Sequence, residues 1–241
     1  MPIIWLFDIF LAAHIITGAT GLITFWVPVI GLKGGENHKK WGRIFARALF
    51  VTGISAIGMS LCTLAYPLEL HPKIEDAELV RGMFGWMMLY LATLTVSLAS
   101  YGIAAVEQKR SHTAHRHAGR LGLEAAVLLT AVNCAVQGVL IGQPLMIGIS
   151  TIGIASAITN AVYIFNDNPE HQGYLKQHVK ALVGAGISVY TAFLAFGAAR
   201  ILPQHAFNPI LWATPVVLGI GLIIWHQRRI SIQSKSRIRF G

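Results

Sequence analysis

The chain has 241 residues, 54% of them hydrophobic and only 12% charged, whereas an ordinary soluble domain is on the order of 25% charged. That composition excludes a conventional water-soluble fold, and no polar stretch is long enough to fold apart from the apolar runs, so one membrane domain is expected. The formal net charge of +9 reads as a topology signal rather than as a nucleic-acid surface, because the basic residues gather in short segments between apolar runs.

A bilayer core takes about 20 mostly apolar residues per helix. Seven runs meet that length, at 3–32, 44–66, 82–106, 121–141, 147–165, 181–201 and 209–225, followed by a basic tail at 226–241. The expected fold is therefore all-α, an integral membrane bundle of seven helices over residues 1–225 with a cytoplasmic tail. The first run has no basic segment before it and reads as a retained helix, not a cleaved signal. Within it His14, Thr17, Gly18, Gly21 and Thr24 fall on one helical face by their spacing of three and four. An ionisable group at membrane depth is costly and marks a functional candidate, which singles out His14.

Later runs carry comparable polar stripes: Tyr90, Thr93, Ser97 and Ser100 in the third, Thr130, Asn133 and Gln137 in the fourth, and Ser156, Thr159, Asn160 and Tyr163 in the fifth. These are either interhelical glue or the lining of a substrate or ion path. The fourth and fifth runs are separated only by Gly142, Gln143 and Pro144, where Gly and Pro favour a tight turn. Cys62 and Cys134 lie inside apolar runs, with neither a disulfide framework nor zinc-finger spacing, and read as small buried hydrophobes.

Charge fixes the orientation, because Lys and Arg collect in short cytoplasmic loops. The first, third and fifth loops and the tail hold Lys33, Lys39, Lys40, Arg43 and Arg47, then Lys109, Arg110, Arg116 and Arg120, then Lys176 and Lys180, then Arg228, Arg229, Lys235, Arg237 and Arg239. Only Lys73, Arg81 and Arg200 fall on the other side, where the second loop carries Glu69, Glu75, Asp76 and Glu78. Seven spans put all four basic groups on one face, with the N-terminus outside and the C-terminus in the cytoplasm. Six spans would separate the fifth loop and the tail from the rest. The basic tail also suits anionic lipid headgroups, at about 1 kcal/mol per nearby basic residue.

Residues 38–43 read His-Lys-Lys-Trp-Gly-Arg and residues 115–120 read His-Arg-His-Ala-Gly-Arg, so HxxxGR occurs twice, and His178 takes the matching place before the sixth run without the Gly-Arg. Three tandem helical hairpins plus a final helix would produce this pattern as parallel repeats. Arg43 and Arg120 can reach a phosphate with a planar fork that Lys lacks. An Arg at a helix start opposes the macrodipole and needs compensation; Glu124 can supply it for Arg120, and lipid phosphate or a ligand for Arg43.

The candidate ligand-binding residues are thus His14, His38, Arg43, His115, Arg120, Asn133 and His178. Haem needs one or two imidazoles held across the interior of a bundle, and three imidazoles suit zinc, copper or iron, so His38, His115 and His178 are the candidate metal or haem ligands. His14 lies deeper than that set. No HExxH, GxSxG or P-loop is present, so neither hydrolase nor nucleotide chemistry can be placed.

The run Lys33-Gly34-Gly35 with His38, Gly42, Arg43, Ile44 and Phe45, preceded by His14 and followed by His178 ahead of a run ending Ala198-Ala199-Arg200, resembles an uncharacterised family of bacterial integral membrane proteins. The resemblance implies a seven-helix membrane fold in the inner (plasma) membrane and no particular activity. Its pattern has Arg, Trp and Met after the third His, where this chain reads Gln177-His178-Val179-Lys180-Ala181. Three function classes remain open: a carrier or sensor of a small molecule or lipid working at the cytoplasmic face, a haem- or metal-binding redox protein, and a non-catalytic partner of a larger membrane complex. An enzyme is not excluded, but no nucleophile or acid–base pair can be named.

Overall fold

The computed structural model describes residues 2–197 and 209–240. Helices account for nearly all of them: α1 (Pro2–Ile30), α2 (Glu36–Ala65), α3 (Ala77–Glu107), α4 (Ala118–Leu140), α5 (Pro144–Ile164), α6 (Gly173–Ala192) and α7 (Pro209–Phe240). Among the described residues α1 to α5 are long and apolar enough to cross a membrane, which points to a membrane protein. Their outer faces agree: Ile9, Ile16 and Ile23 of α1 and Leu129, Val136 and Leu140 of α4 are exposed, large apolar side chains of the kind that mark a membrane or partner contact when they cluster on a surface. The run expected at 181–201 passes into residues 198–208, so its end, including Ala198, Ala199 and Arg200, lies outside the described residues.

Helix boundaries follow local chemistry. The C-terminal carbonyls of α1 are orphaned as in any helix, and Lys33 Nζ donates to those of Pro28, at 2.8 Å, and Val29. Gly34 turns the chain toward α2 with φ +78°, a conformation that costs a residue with a Cβ. Asp76 caps α3, its carboxylate accepting from the backbone N–H of Glu78 at 2.9 Å and Leu79 at 3.0 Å, the usual satisfaction of two free donors. Early in α3 the segment Arg81–Trp86 widens into a π-helical turn. The break expected after the fourth run is a true turn: α4 ends at Leu140, Gly142 has φ +66°, and Gln143 N–H donates to Gly138 O at 2.7 Å.

The chain divides into two compact units. The first comprises Met1–Gly18, Phe50–Ser97 and Thr113–Asn166. Its core is built on α3 to α5, where Met87, Tyr90, Val127, Ala131, Cys134, Met146 and Ile164 are fully enclosed. Tyr90 shows how that packing is reached: its hydroxyl donates to Ile149 O at 2.8 Å, and its ring lies where a Cβ on Gly153 would come within 2.9 Å of Tyr90 Cζ. A buried phenol needs such a partner. The hydroxyls of Thr17, Ser60, Thr93, Thr95, Thr130 and Thr159 donate to carbonyls four residues back, so they satisfy themselves within their own helices.

The second unit comprises Ala19–Leu49, Leu98–His112 and Asp167–Gly241. An aromatic cluster of Phe25, Trp26, Phe45 and Tyr190 joins α1, α2 and α6. Trp26 Nε1–H donates to Tyr190 Oη at 2.7 Å, and Tyr190 in turn donates to Leu22 O at 2.7 Å. The ring of Phe25 lies against Gly186, where a Cβ would sit 2.5 Å from Phe25 Cε2. Gly102 plays the same part on α3, since its Cβ would fall 2.6 Å from Leu182 Cδ2 of α6.

Candidate functional site

The residues singled out by sequence divide between the two units. In the first, His14 Nδ1 lies 3.1 Å from Thr52 O, and because a carbonyl only accepts, the ring nitrogen donates. Thr17 and Thr52 pair their hydroxyls at 2.8 Å beside it. These bonds tie α1 to α2, the ordinary use of polar groups between membrane helices. Asn133 is half-buried on α4 and makes no hydrogen bond among the described residues.

The second HxxxGR copy leads into a buried polar network in the same unit. His115 is 2% exposed on the 3-10 turn His112–Arg116. His117 caps α4, its Nδ1 accepting from Arg120 N–H at 3.2 Å. Arg120 Nη1 lies 3.6 Å from Glu124 Oε1 and donates to Ser97 O at 3.4 Å. Ser97 Oγ donates to Glu124 Oε1 at 3.0 Å and Asn160 Nδ2 to Oε2 at 3.1 Å. Arg120 and Glu124 are 6% and 7% exposed, so the pair is dry and the extra donors are what make burying it tolerable. Arg116 Nε donates to Ile164 O at 2.9 Å, closing the C-terminus of α5 with a cation.

The first HxxxGR copy has different surroundings. In the second unit a cavity of about 990 Å³ is bounded by the last turn of α1, the Lys-Gly-Gly loop, the starts of α2 and α6, the end of α3 and α7. His38, Arg43 and His178 all line it. His38 Nδ1 donates to Pro28 O at 3.1 Å and His178 Nδ1 to Gly102 O at 2.7 Å. The two imidazole centroids stand 6.2 Å apart, with planes inclined at 60°. The wall is apolar where Phe25, Val106, Leu182, Trp225 and Ile230 contribute, and basic where Lys33, Lys39, Arg43, Lys109 and Arg229 do, with Glu107 as its acid.

His38, His178 and the cavity-lining His226 fall outside the apolar runs expected to span the bilayer. Burial pushes all three imidazoles below the usual histidine range. The carbonyls of Pro28 and Gly102 oppose that for His38 and His178, while the nearby cations Lys33 and Lys39 add to it for His38 and Lys33 and Arg229 for His226. Neutral imidazoles with Nδ1–H committed to carbonyls leave Nε2 as the nitrogen with a free lone pair.

The structure thus brings His38, Arg43 and His178 together and places His14, His115, Arg120 and Asn133 in the other unit. Among the described residues, no group of three or more His, Cys, Asp or Glu side chains is gathered as a metal site. Sequence reasoning missed His226, Trp225 and Arg229 as parts of the site, having assigned them to the end of a span and a basic cytoplasmic tail. The adjacency of His226 to the last apolar run was the available signal: like His38 and His178, it stands just outside an apolar run. No family model, no curated protein and no solved structure matches the chain.

Proposed function

We propose that the chain is a seven-span protein of the inner (plasma) membrane, N-terminus outside and tail in the cytoplasm, that carries or senses a small amphipathic anion bound in the cavity of the second unit. The observation that carries this reading is the cavity itself. Its volume of about 990 Å³ is at the upper end of the range in which small-molecule sites fall, roughly 300–1,000 Å³. Among the described residues Lys33, Lys39, Arg43, Lys109 and Arg229 face it against the one carboxylate of Glu107, and the remaining wall is largely aliphatic and aromatic. An apolar body with one or two negatively charged groups satisfies both halves of such a wall. Arg43, which belongs to the HxxxGR loop and has no acidic partner on its own helix turn, is the natural fork for a carboxylate or phosphate.

The test is equilibrium binding of a fluorescent fatty carboxylate, and of its zwitterionic counterpart, to the full chain in neutral detergent. The carboxylate is expected to bind with saturation and the zwitterion at least tenfold more weakly. The double variant Arg43→Gln, Arg229→Gln is expected to lose about tenfold or more in affinity for the anion, the effect of removing one charge-assisted hydrogen bond of about 1.5–3 kcal/mol. Equal affinity for the two probes, or an unchanged affinity in the double variant, refutes the reading.

A further inference from the structure

We propose that the anion this cavity takes is a haem, an iron porphyrin held non-covalently with His38 and His178 as its two axial ligands. The inference rests on the reading of the cavity as a site for an amphipathic anion, since a haem is an apolar macrocycle with two propionates. It adds the identity of the ligand from four observations.

The first is the state of the two imidazoles. Each donates Nδ1–H to a backbone carbonyl, His38 to Pro28 and His178 to Gly102. That bond fixes ring orientation and tautomer and leaves Nε2 free, the arrangement that metal-ligating histidines almost always show. The carbonyls belong to different helices from the histidines they hold, so each ring is fixed by tertiary packing and not by its own flexible turn.

The second is the distance. A transition metal bound by imidazole nitrogen at roughly 2 Å sets two trans ring centroids about 6 Å apart, and two rings at a tetrahedral centre about 5 Å apart. The centroids of His38 and His178 are 6.2 Å apart, which suits an axial pair on either side of a plane.

The third is the ligand count. A four-coordinate zinc or copper site draws three or four ligands from the protein, and among the described residues no such group of three is gathered. A porphyrin supplies four nitrogens itself and asks the protein for two. The chain has no CxxCH, the pattern for covalent attachment, so the haem is of the non-covalent kind.

The fourth is the wall. Phe25, Leu182 and Trp225 offer apolar surface to a macrocycle, while Arg43 and Arg229 offer forks to propionates. Gly102 contributes by its missing side chain. A Cβ there would fall 2.6 Å from Leu182 Cδ2, so glycine lets α6 approach closely enough for His178 to reach the Gly102 carbonyl.

The experiment is titration of the full chain, purified in neutral detergent, with iron protoporphyrin, read by optical and electron paramagnetic resonance spectra. Saturation at one equivalent with a low-spin, six-coordinate spectrum is expected. His38→Ala and His178→Ala are each expected to shift the bound haem to high spin, and added imidazole to restore the low-spin spectrum. If an alanine variant does not fold, His178→Met carries the test, because it keeps an axial ligand: the haem is expected to stay low-spin with a raised reduction potential. Haem that binds only in high-spin form, or a spectrum and potential indifferent to all three substitutions, overturns the proposal. Retained binding of the fatty carboxylate in a protein that takes no haem overturns the haem identity alone, and loss of both overturns the cavity reading as well. Stoichiometric zinc or copper, bound with no haem and released in His38→Ala, also overturns it.

Discussion

Ser97 of α3, Asn160 of α5 and Arg120 of its own helix converge on the Glu124 carboxylate. A charge so enclosed depends on its partners, because desolvation takes several kcal/mol from each ion and only complete pairing returns it. Arg120→Ala is therefore expected to destabilise the protein by about 3–5 kcal/mol, leaving the carboxylate buried without its cation. Glu124→Gln keeps an acceptor for Ser97 but takes the anion from beside the buried Arg120 guanidinium, and is expected to cost a comparable amount. Thermal unfolding in detergent checks both, and an Arg120→Ala protein as stable as the parent would show that the pair is neutral to the fold. His38 and His178 make a separate prediction. Their folded-state values lie below the ordinary value of about 6.5, so the unfolded chain binds protons that the folded one refuses. Stability is then full above about pH 6.5 and falls as the pH drops through that value toward the depressed ones. The melting temperature of the ligand-free protein is expected to decline on acidification from pH 7.5 to 5, less steeply in His38→Gln, His178→Gln; an unaltered slope in the double variant would assign the effect elsewhere.

At the scale of the helices, close approach decides what can touch. Gly102 and Leu182 bring α3 and α6 together, and a side chain at position 102 has no free space. Gly102→Val is expected to push α6 away, break the His178 bond to the Gly102 carbonyl and lower affinity for the cavity ligand at least tenfold, with a stability loss of about 1–3 kcal/mol from overpacking. Binding measured beside thermal unfolding separates the two effects, and a variant with parental affinity would detach that carbonyl from the site. The first five runs were legible because apolar stretches of bilayer length have few alternative readings, and the Gly142–Pro144 break was legible because Gly and Pro leave so few backbone options there. The partnership of α2 with α6 was not. HxxxGR predicted that His38 and His115 would act alike, yet one lines a cavity in the second unit and the other is enclosed in the first. A local motif fixes how a chain enters a helix; which distant helix then faces it is set by packing that the motif does not encode. His226 was passed over for the same reason, since a basic tail after the last apolar run looks solvated until the helix is seen to continue through it to Phe240.

For the molecule as a whole the orientation rests on charge. With seven spans the four basic groups would share one side, against a second loop with Glu69, Glu75, Asp76 and Glu78, and that distribution would bias insertion toward a cytoplasmic tail. An alkaline phosphatase fused after Gly241 is expected to be inactive and a fluorescent protein at the same place bright; the reverse pair of results would refute seven spans with the N-terminus outside. The same bias bears on the proposed ligand, because residues of the first, third and fifth loops and the start of the tail line the cavity, and the seven-span reading would put all of them on the cytoplasmic side. Composition and charge made this face the one to search, and three of the seven candidate residues, His38, Arg43 and His178, line one cavity within one unit.

The π-helical turn at Arg81–Trp86 has a consequence for chain length. A π-turn houses one residue more than an α-turn in the same rise and keeps the flanking segments in rotational phase. Removal of one residue there would return α3 to regular geometry with its faces still aligned. Removal further along, between the π-turn and Gly102, would rotate everything beyond it by about 100° and carry the Gly102 carbonyl away from His178. The turn is thus the one place in α3 where the gene can change length without changing what the helix presents.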